Sequence, residues 1–201
     1  LVETGCDSYA SWHPAFKHLS PTYTTEELVD NMLKLTPNNR WVQANGNDVH
    51  LVITGGEPML QKNIQPLLYH YSDLFKWTQI ESNGTSHQLL PYGTTLVCSP
   101  KCSEKLGKPI KYLEPHKDVL ARADCLKFVM NADPESPYSS IPSWALEWKE
   151  KTGKSVFVSP MNIYNKEPQK SKQLRSTKND ITLEERSQVD EVISFWEEGL
   201  L

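Results

Sequence analysis

Residues 51–58, LVITGGEP, end an apolar run on two glycines, an acid and a proline. Glycine lets backbone approach a ligand closely. Proline removes a donor and stops ladder pairing. A carboxylate beside strand-end carbonyls therefore makes an acceptor-rich corner suited to an ammonium group. The same four residues also suit a strand–turn–helix corner with Glu57 at the next helix's N-terminus, so the tetrapeptide alone leaves both readings open. Short segments close the later apolar runs as well, ESNGT at 81–85, SPK at 99–101, MNA at 130–132 and SPM at 159–161, and all but one of the set are small, polar or glycine-rich. The thiols offer less. Cys98 and Cys102 are spaced as two ligands of a C-x₃-C-x₂-C set, but Lys105 stands where the third should be, and Cys98 sits in an apolar run that reads as core. Cys125 reads as a buried thiol. The six histidines show no paired metal spacing.

The elements that must hold these clusters alternate between strand and helix. TTEELVDNMLKL carries a capping box at Thr24 and Glu27 and apolar residues at helical spacing. DVHLVIT is a short strand ending at Gly55. MLQKNIQPLLYHY follows with Ile64, Leu67, Leu68 and Tyr71 on one helical face, and Pro66 is expected to kink or delay that helix. KWTQIES and TTLVCS are two strands joined by a loop too short for a long helix. LEPHKDVLARA reads as helix, DCLKFVMN as strand, IPSWALEWKEKTG as helix with Gly153 as its C-cap, and SVFVSP as strand. Trp144 and Trp148, four apart, form one helix's core face. The lysine-rich run from Lys166 to Lys178 reads as a solvated loop, and Thr182 and Glu185 box a last helix. Such alternation predicts an α/β fold with a mostly parallel sheet. Ligands of parallel sheets gather at the carboxyl ends of the strands, which is where every polar cluster falls.

Composition narrows the class. The chain has 201 residues, enough for one domain with a core that needs no disulfide staples. Hydrophobic residues make up 38% and charged residues 23%, with a formal net charge of −4, so there is no basic footprint for nucleic acid. No apolar run approaches a membrane span. Four cysteines are too sparse for a secreted disulfide framework, and a reducing, cytoplasmic setting is expected. The chain opens on Leu1 in mid-pattern and closes on FWEEGLL, so it is expected to be a single domain over 1–201 cut from a longer protein at both ends.

TGGEPMLQ closely resembles the motif by which radical S-adenosylmethionine enzymes hold the amino group of their cofactor. CDS at 6–8 with Trp12 downstream, ESNGT at 81–85, SPK at 99–101 and LKFV at 126–129 resemble, in order, the landmarks of the 7-carboxy-7-deazaguanine synthase family. The resemblance implies an open partial (β/α) barrel of the radical SAM type. It implies a lyase that uses S-adenosyl-L-methionine, a [4Fe–4S] cluster and Mg²⁺ to convert 6-carboxy-5,6,7,8-tetrahydropterin to 7-carboxy-7-deazaguanine with loss of ammonia. It places Cys6 as a cluster ligand and Ser8 beside the magnesium, where a hard oxygen suits the ion. Gly55, Gly56, Glu57, Ser99 and Lys101 would hold the cofactor, with Pro160 near its adenine. Glu81 and Asn83 would read the pterin edge. A flavodoxin-like or other electron donor and a homodimer are further expectations, with neither nucleic acid nor membrane as a partner.

The departure lies at the cluster. Three thiolates are needed, and Glu3 occupies the position three before Cys6. Altered spacing, with the remaining cysteines before Leu1, is the expectation. Two other readings compete. A radical activating enzyme acting on a protein partner would share the GGEP corner but gives no reason for ESNGT and SPK together. A cluster-less, non-catalytic binding module would explain Glu3.

Overall fold

The structure is a computed structural model whose described residues are 17–18, 21–35, 49–105 and 108–161. Cys6, Ser8 and Glu3 lie outside them, as do the lysine-rich run and the expected last helix.

The first helix, α1 (Thr25–Leu35), starts on the expected reciprocal cap. The Glu27 N–H donates to Thr24 Oγ1 at 3.2 Å, and the Thr24 N–H donates to Glu27 Oε2 at 2.8 Å. The chain then builds β1 (His50–Ile53), a 3₁₀ turn at Pro58–Leu60, α2 (Ile64–Tyr71), β2 (Trp77–Ser82) and β3 (Thr94–Cys98). A two-stranded hairpin, β4 (Cys102–Lys105) and β5 (Lys108–Tyr112), precedes α3 (Lys117–Arg122), β6 (Cys125–Met130), α4 (Ser143–Thr152) and β7 (Ser155–Pro160). Of the two effects expected of Pro66, the delayed start is observed: α2 begins only at Ile64 and Pro66 falls in its first turn. It is the third residue of the helix, where an N–H would have no intrahelical partner. Gly153 ends α4 at φ +69°, its N–H donating to the Lys149 carbonyl at 2.8 Å.

Strands β1, β2, β3, β6 and β7 form one sheet in that order, and every pairing in it is parallel. Chain order and spatial order agree, so the sheet is wound in one direction, as in a (β/α) barrel, and not doubly from its middle. One face carries the core. Ile80, Leu96, Cys98, Leu126, Phe128 and Met130 point into it at zero exposure. They meet Ile64 and Leu68 of α2, Val119 of α3, and Ala145 and Trp148 of α4. Each large apolar side chain so buried contributes on the order of 1.5–3 kcal/mol. Trp144 packs at the edge of this cluster against Phe128, which agrees with its expected place on the core face of α4.

The opposite face presents the alternate residues of the same strands. Gln79, Glu81, Val97, Cys125, Lys127 and Phe157 border a groove of about 470 Å³ on it. None of α2, α3 and α4 packs there, since their buried residues all join the other face. Cys125 is accordingly half-buried on this open face, not sealed as expected for a core thiol. The hairpin was not foreseen. Cys102 and Tyr112 pair across it, and Tyr112 lies edge-on to both Phe128 and Tyr138.

Candidate active site

Because the sheet is parallel, the polar clusters after β1, β2 and β3 emerge side by side at one end. Glu57 binds them together. Its Oε1 accepts from the Met59 N–H at 3.0 Å and the Ser82 hydroxyl at 2.8 Å, and its Oε2 accepts from the Asn83 N–H at 2.6 Å. The carboxylate therefore caps the 3₁₀ turn and clamps the end of β1 to the end of β2. A carboxylate has about four acceptor sites, and the donors among the described residues fill three of them.

The contact continues to β3. The Ser99 N–H donates to the Ser82 carbonyl at 2.7 Å, and Lys101 Nζ donates to Ser99 Oγ at 2.7 Å. Glu57, Asn83, Ser99 and Lys101 thus belong to one hydrogen-bonded corner. Gly55 begins the approach at φ +120°, with open space where a Cβ would stand. Gly56 beside it is exposed.

ESNGT owes its shape to close packing. Gly84 has φ +83°, and a Cβ there would lie 2.5 Å from Pro115 Cβ and 2.9 Å from Cys98 Sγ. Only glycine suits such a position. Asn83 Oδ1 accepts from the Thr85 N–H at 2.8 Å and its hydroxyl at 2.7 Å, an Asx-type turn. Gln88 Nε2 donates to the Met59 and Gln61 carbonyls at 2.5 and 3.0 Å, which pins the loop after β2 to the turn after Glu57.

Glu81 points elsewhere, onto the open face. Its Oε2 pairs with Lys127 Nζ at 2.6 Å, and its Oε1 accepts from Gln79 Nε2 at 3.2 Å. Pro160 ends β7 opposite Met130, at the same end of the sheet but two strands beyond β3. The structure thus gathers Gly55, Gly56, Glu57, Asn83, Ser99 and Lys101, sets Glu81 on the adjoining open face, and leaves Pro160 at the far rim. Two residues were missed. Ser82 links Glu57 to β3, and Lys127 holds Glu81. Only the alternation of buried and open positions along β2 and β6 could have marked them.

Cys98 and Cys102 are buried thiols. Burial pushes the Cys98 thiol up to about 12, with the Glu57 carboxylate adding to the effect. Burial likewise raises Cys102 to about 11 against the opposing hydrogen bond with Tyr138. The pair also lacks a third thiol, since Lys105 stands at that position. Among the described residues no group of three or more Cys, His, Asp or Glu side chains could hold a metal ion. The corner itself joins a carboxylate, Glu57, to a cation, Lys101, through Ser82 and Ser99.

No family model matches the chain. It is 31% identical over 156 residues to the 7-carboxy-7-deazaguanine synthase of Rickettsia prowazekii, across 77% of this chain and 60% of that protein. It is 31% identical over 120 residues to the 7-carboxy-7-deazaguanine synthase of Rhodospirillum rubrum, across 55% of this chain and 46% of that one. For the Halobacterium salinarum protein of the same name the identity is 35% over 114 residues, across 56% and 38%. The chain thus spans at most 60% of the length of these relatives. The crystal structure of QueE from Escherichia coli aligns with a TM-score of 0.46 at 20% identity, covering 77% of this chain and 78% of that one.

Proposed function

Since the chain is a relative of the 7-carboxy-7-deazaguanine synthases over the segment that aligns, we propose that it is the radical S-adenosylmethionine portion of such a lyase, taking 6-carboxy-5,6,7,8-tetrahydropterin to 7-carboxy-7-deazaguanine and ammonia in deazapurine (queuosine) biosynthesis. The observation that carries this reading is the hydrogen-bonded corner from Glu57 through Ser82 and Ser99 to Lys101. A cofactor with an ammonium and a carboxylate on one carbon needs an acceptor and a cation in one site, and the chain of contacts from Glu57 to Lys101 supplies both.

In this reading the fourth acceptor site of Glu57 takes the ammonium and the strand-end backbone at Gly55 and Gly56 lies beside it. Lys101 meets the carboxylate, with Ser99 steering its amine. Glu81 and Asn83 face the substrate, and Pro160 borders the adenine. When bound beside its iron–sulfur cluster, the cofactor supplies a hydrogen-abstracting radical. Cys6 for the cluster and Ser8 for Mg²⁺ complete the reading, as do a flavodoxin-like or other one-electron donor, a cytoplasmic setting and a homodimer.

The test is anaerobic reconstitution of the full-length protein with iron and sulfide, then incubation with a reductant, S-adenosylmethionine and the carboxypterin. Pterin-dependent formation of 7-carboxy-7-deazaguanine with one equivalent of ammonia is the expected result. Cofactor cleavage that the pterin leaves unchanged would favour an activating enzyme instead, and failure to take up iron would remove the lyase reading.

A further inference from the structure

The contact between Glu81 and Lys127 is unusual in its reach. Glu81 of β2 is in register with Val97 of β3, and Val97 with Cys125 of β6. Lys127, two residues further along β6, must therefore cross the whole width of β3, roughly 10 Å of sheet, to bring Nζ within 2.6 Å of Glu81 Oε2. The backbone ladder already joins these strands, so the pair is not needed to hold them. It lies in the groove of the open face, with the two side chains 30% and 25% exposed, beside Phe157 and Val97. Gln79, two residues back on β2, donates to the other oxygen at 3.2 Å.

A carboxylate held through both oxygens keeps its remaining acceptor sites in a fixed plane. Adjacent N–H donors on the edge of an aminopyrimidinone ring match two such acceptors, and Phe157 gives the ring an apolar neighbour. We infer that Lys127 is a positioning residue: by spanning β3 it orients Glu81 to read the aminopyrimidinone edge of a pterin lying in this groove. The inference rests on the function proposed above and deepens it.

The experiment titrates the full-length protein anaerobically with 6-carboxy-5,6,7,8-tetrahydropterin by calorimetry. Variants are Lys127→Met, Lys127→Arg, Glu81→Gln and the double variant with Met and Gln, each checked for unchanged thermal melting. Lys127→Met is expected to weaken binding about tenfold to a hundredfold, and Lys127→Arg to recover most of the loss. In the Glu81→Gln background Lys127→Met should have almost no further effect, because both act through one contact. A merely structural lysine would show neither rescue nor this coupling. If Lys127→Met does not fold, Lys127→Gln carries the same comparison. Equal binding by wild type and Lys127→Met, or strict additivity with Glu81→Gln, overturns the inference alone. No pterin binding by the wild type overturns the parent reading and this one together.

Discussion

At Glu57 the two readings left open by GGEP do not exclude one another. The side chain caps the turn at Pro58–Leu60, as a strand–turn–helix corner requires, and it also gathers Ser82 and Asn83 into the corner proposed to hold the cofactor. Replacing the carboxylate by an amide tests how firmly it is held. In Glu57→Gln one oxygen becomes an NH₂, which must face either the Asn83 N–H or the pair of donors from Met59 and Ser82. A donor then opposes a donor in a partly buried place. The expected loss is about 1–3 kcal/mol of stability, read as a lower urea midpoint with unchanged slope. An unchanged midpoint would mean that these hydrogen bonds are dispensable, and the clamp would no longer explain the corner. S-adenosylmethionine affinity measured on the folded fraction should fall as well, since the remaining acceptor is displaced.

Among the elements, the turn after β2 is the most constrained. Gly84→Ala places a Cβ 2.5 Å from Pro115 Cβ at φ +83°, so clash and backbone strain add. The Gly84 carbonyl also accepts from the His116 N–H at 2.8 Å at the start of α3, so the strain passes to that helix. A loss of roughly 2–4 kcal/mol is expected, measurable as a drop in melting temperature, and a fully stable variant would refute the close packing. The strand-to-helix alternation, the capping box at Thr24 and the stop at Gly153 were all legible in the sequence, because local patterns and special backbone angles fix them. The hairpin was not. Pro109 interrupts β5, the register shifts between Ser103 and Glu104, and only Cys102 and Tyr112 give it an inward side, so no clean alternation survives. For the site, GGEP, ESNGT and SPK were legible as strand ends because glycine and polar residues break apolar runs. The contacts of Ser82 and Lys127 were not, since they join residues 25 and 46 positions apart and depend on strand order.

At the scale of the molecule, a set of thiols and phenols turned inward among the described residues, Cys98, Cys102, Tyr112 and Tyr138, shapes the response to alkali. Cys98 is packed into the core beneath the candidate site with its thiol pushed up to about 12, from an ordinary value of 9.0. Cys102 at the hairpin is raised to about 11, and Tyr138, whose oxygen accepts from the Cys102 N–H at 3.1 Å, is raised to about 12 from 10.0. Burial is the first cause in each case, and it raises the buried phenol of Tyr112 as well. A group whose folded value is raised keeps its proton in the folded state after the unfolded chain has lost it. The stability it lends is therefore complete below about pH 9 and declines as pH climbs toward the folded values. Each such proton removes about 1.4 kcal/mol per pH unit, so two thiols acting together between pH 9 and 11 account for a loss comparable with the lower end of a domain's total stability. Urea midpoints measured from pH 7 to 11 should hold level to about pH 9 and then fall steeply. Cys98→Ala should be less stable at pH 7, because it empties a packed position, yet show a shallower fall above pH 9. A wild-type protein as stable at pH 11 as at pH 7 would mean that Cys98 is not buried between the sheet and its helices, nor Cys102 at the hairpin, and the packing that sets the site on the strand ends would have to be redrawn.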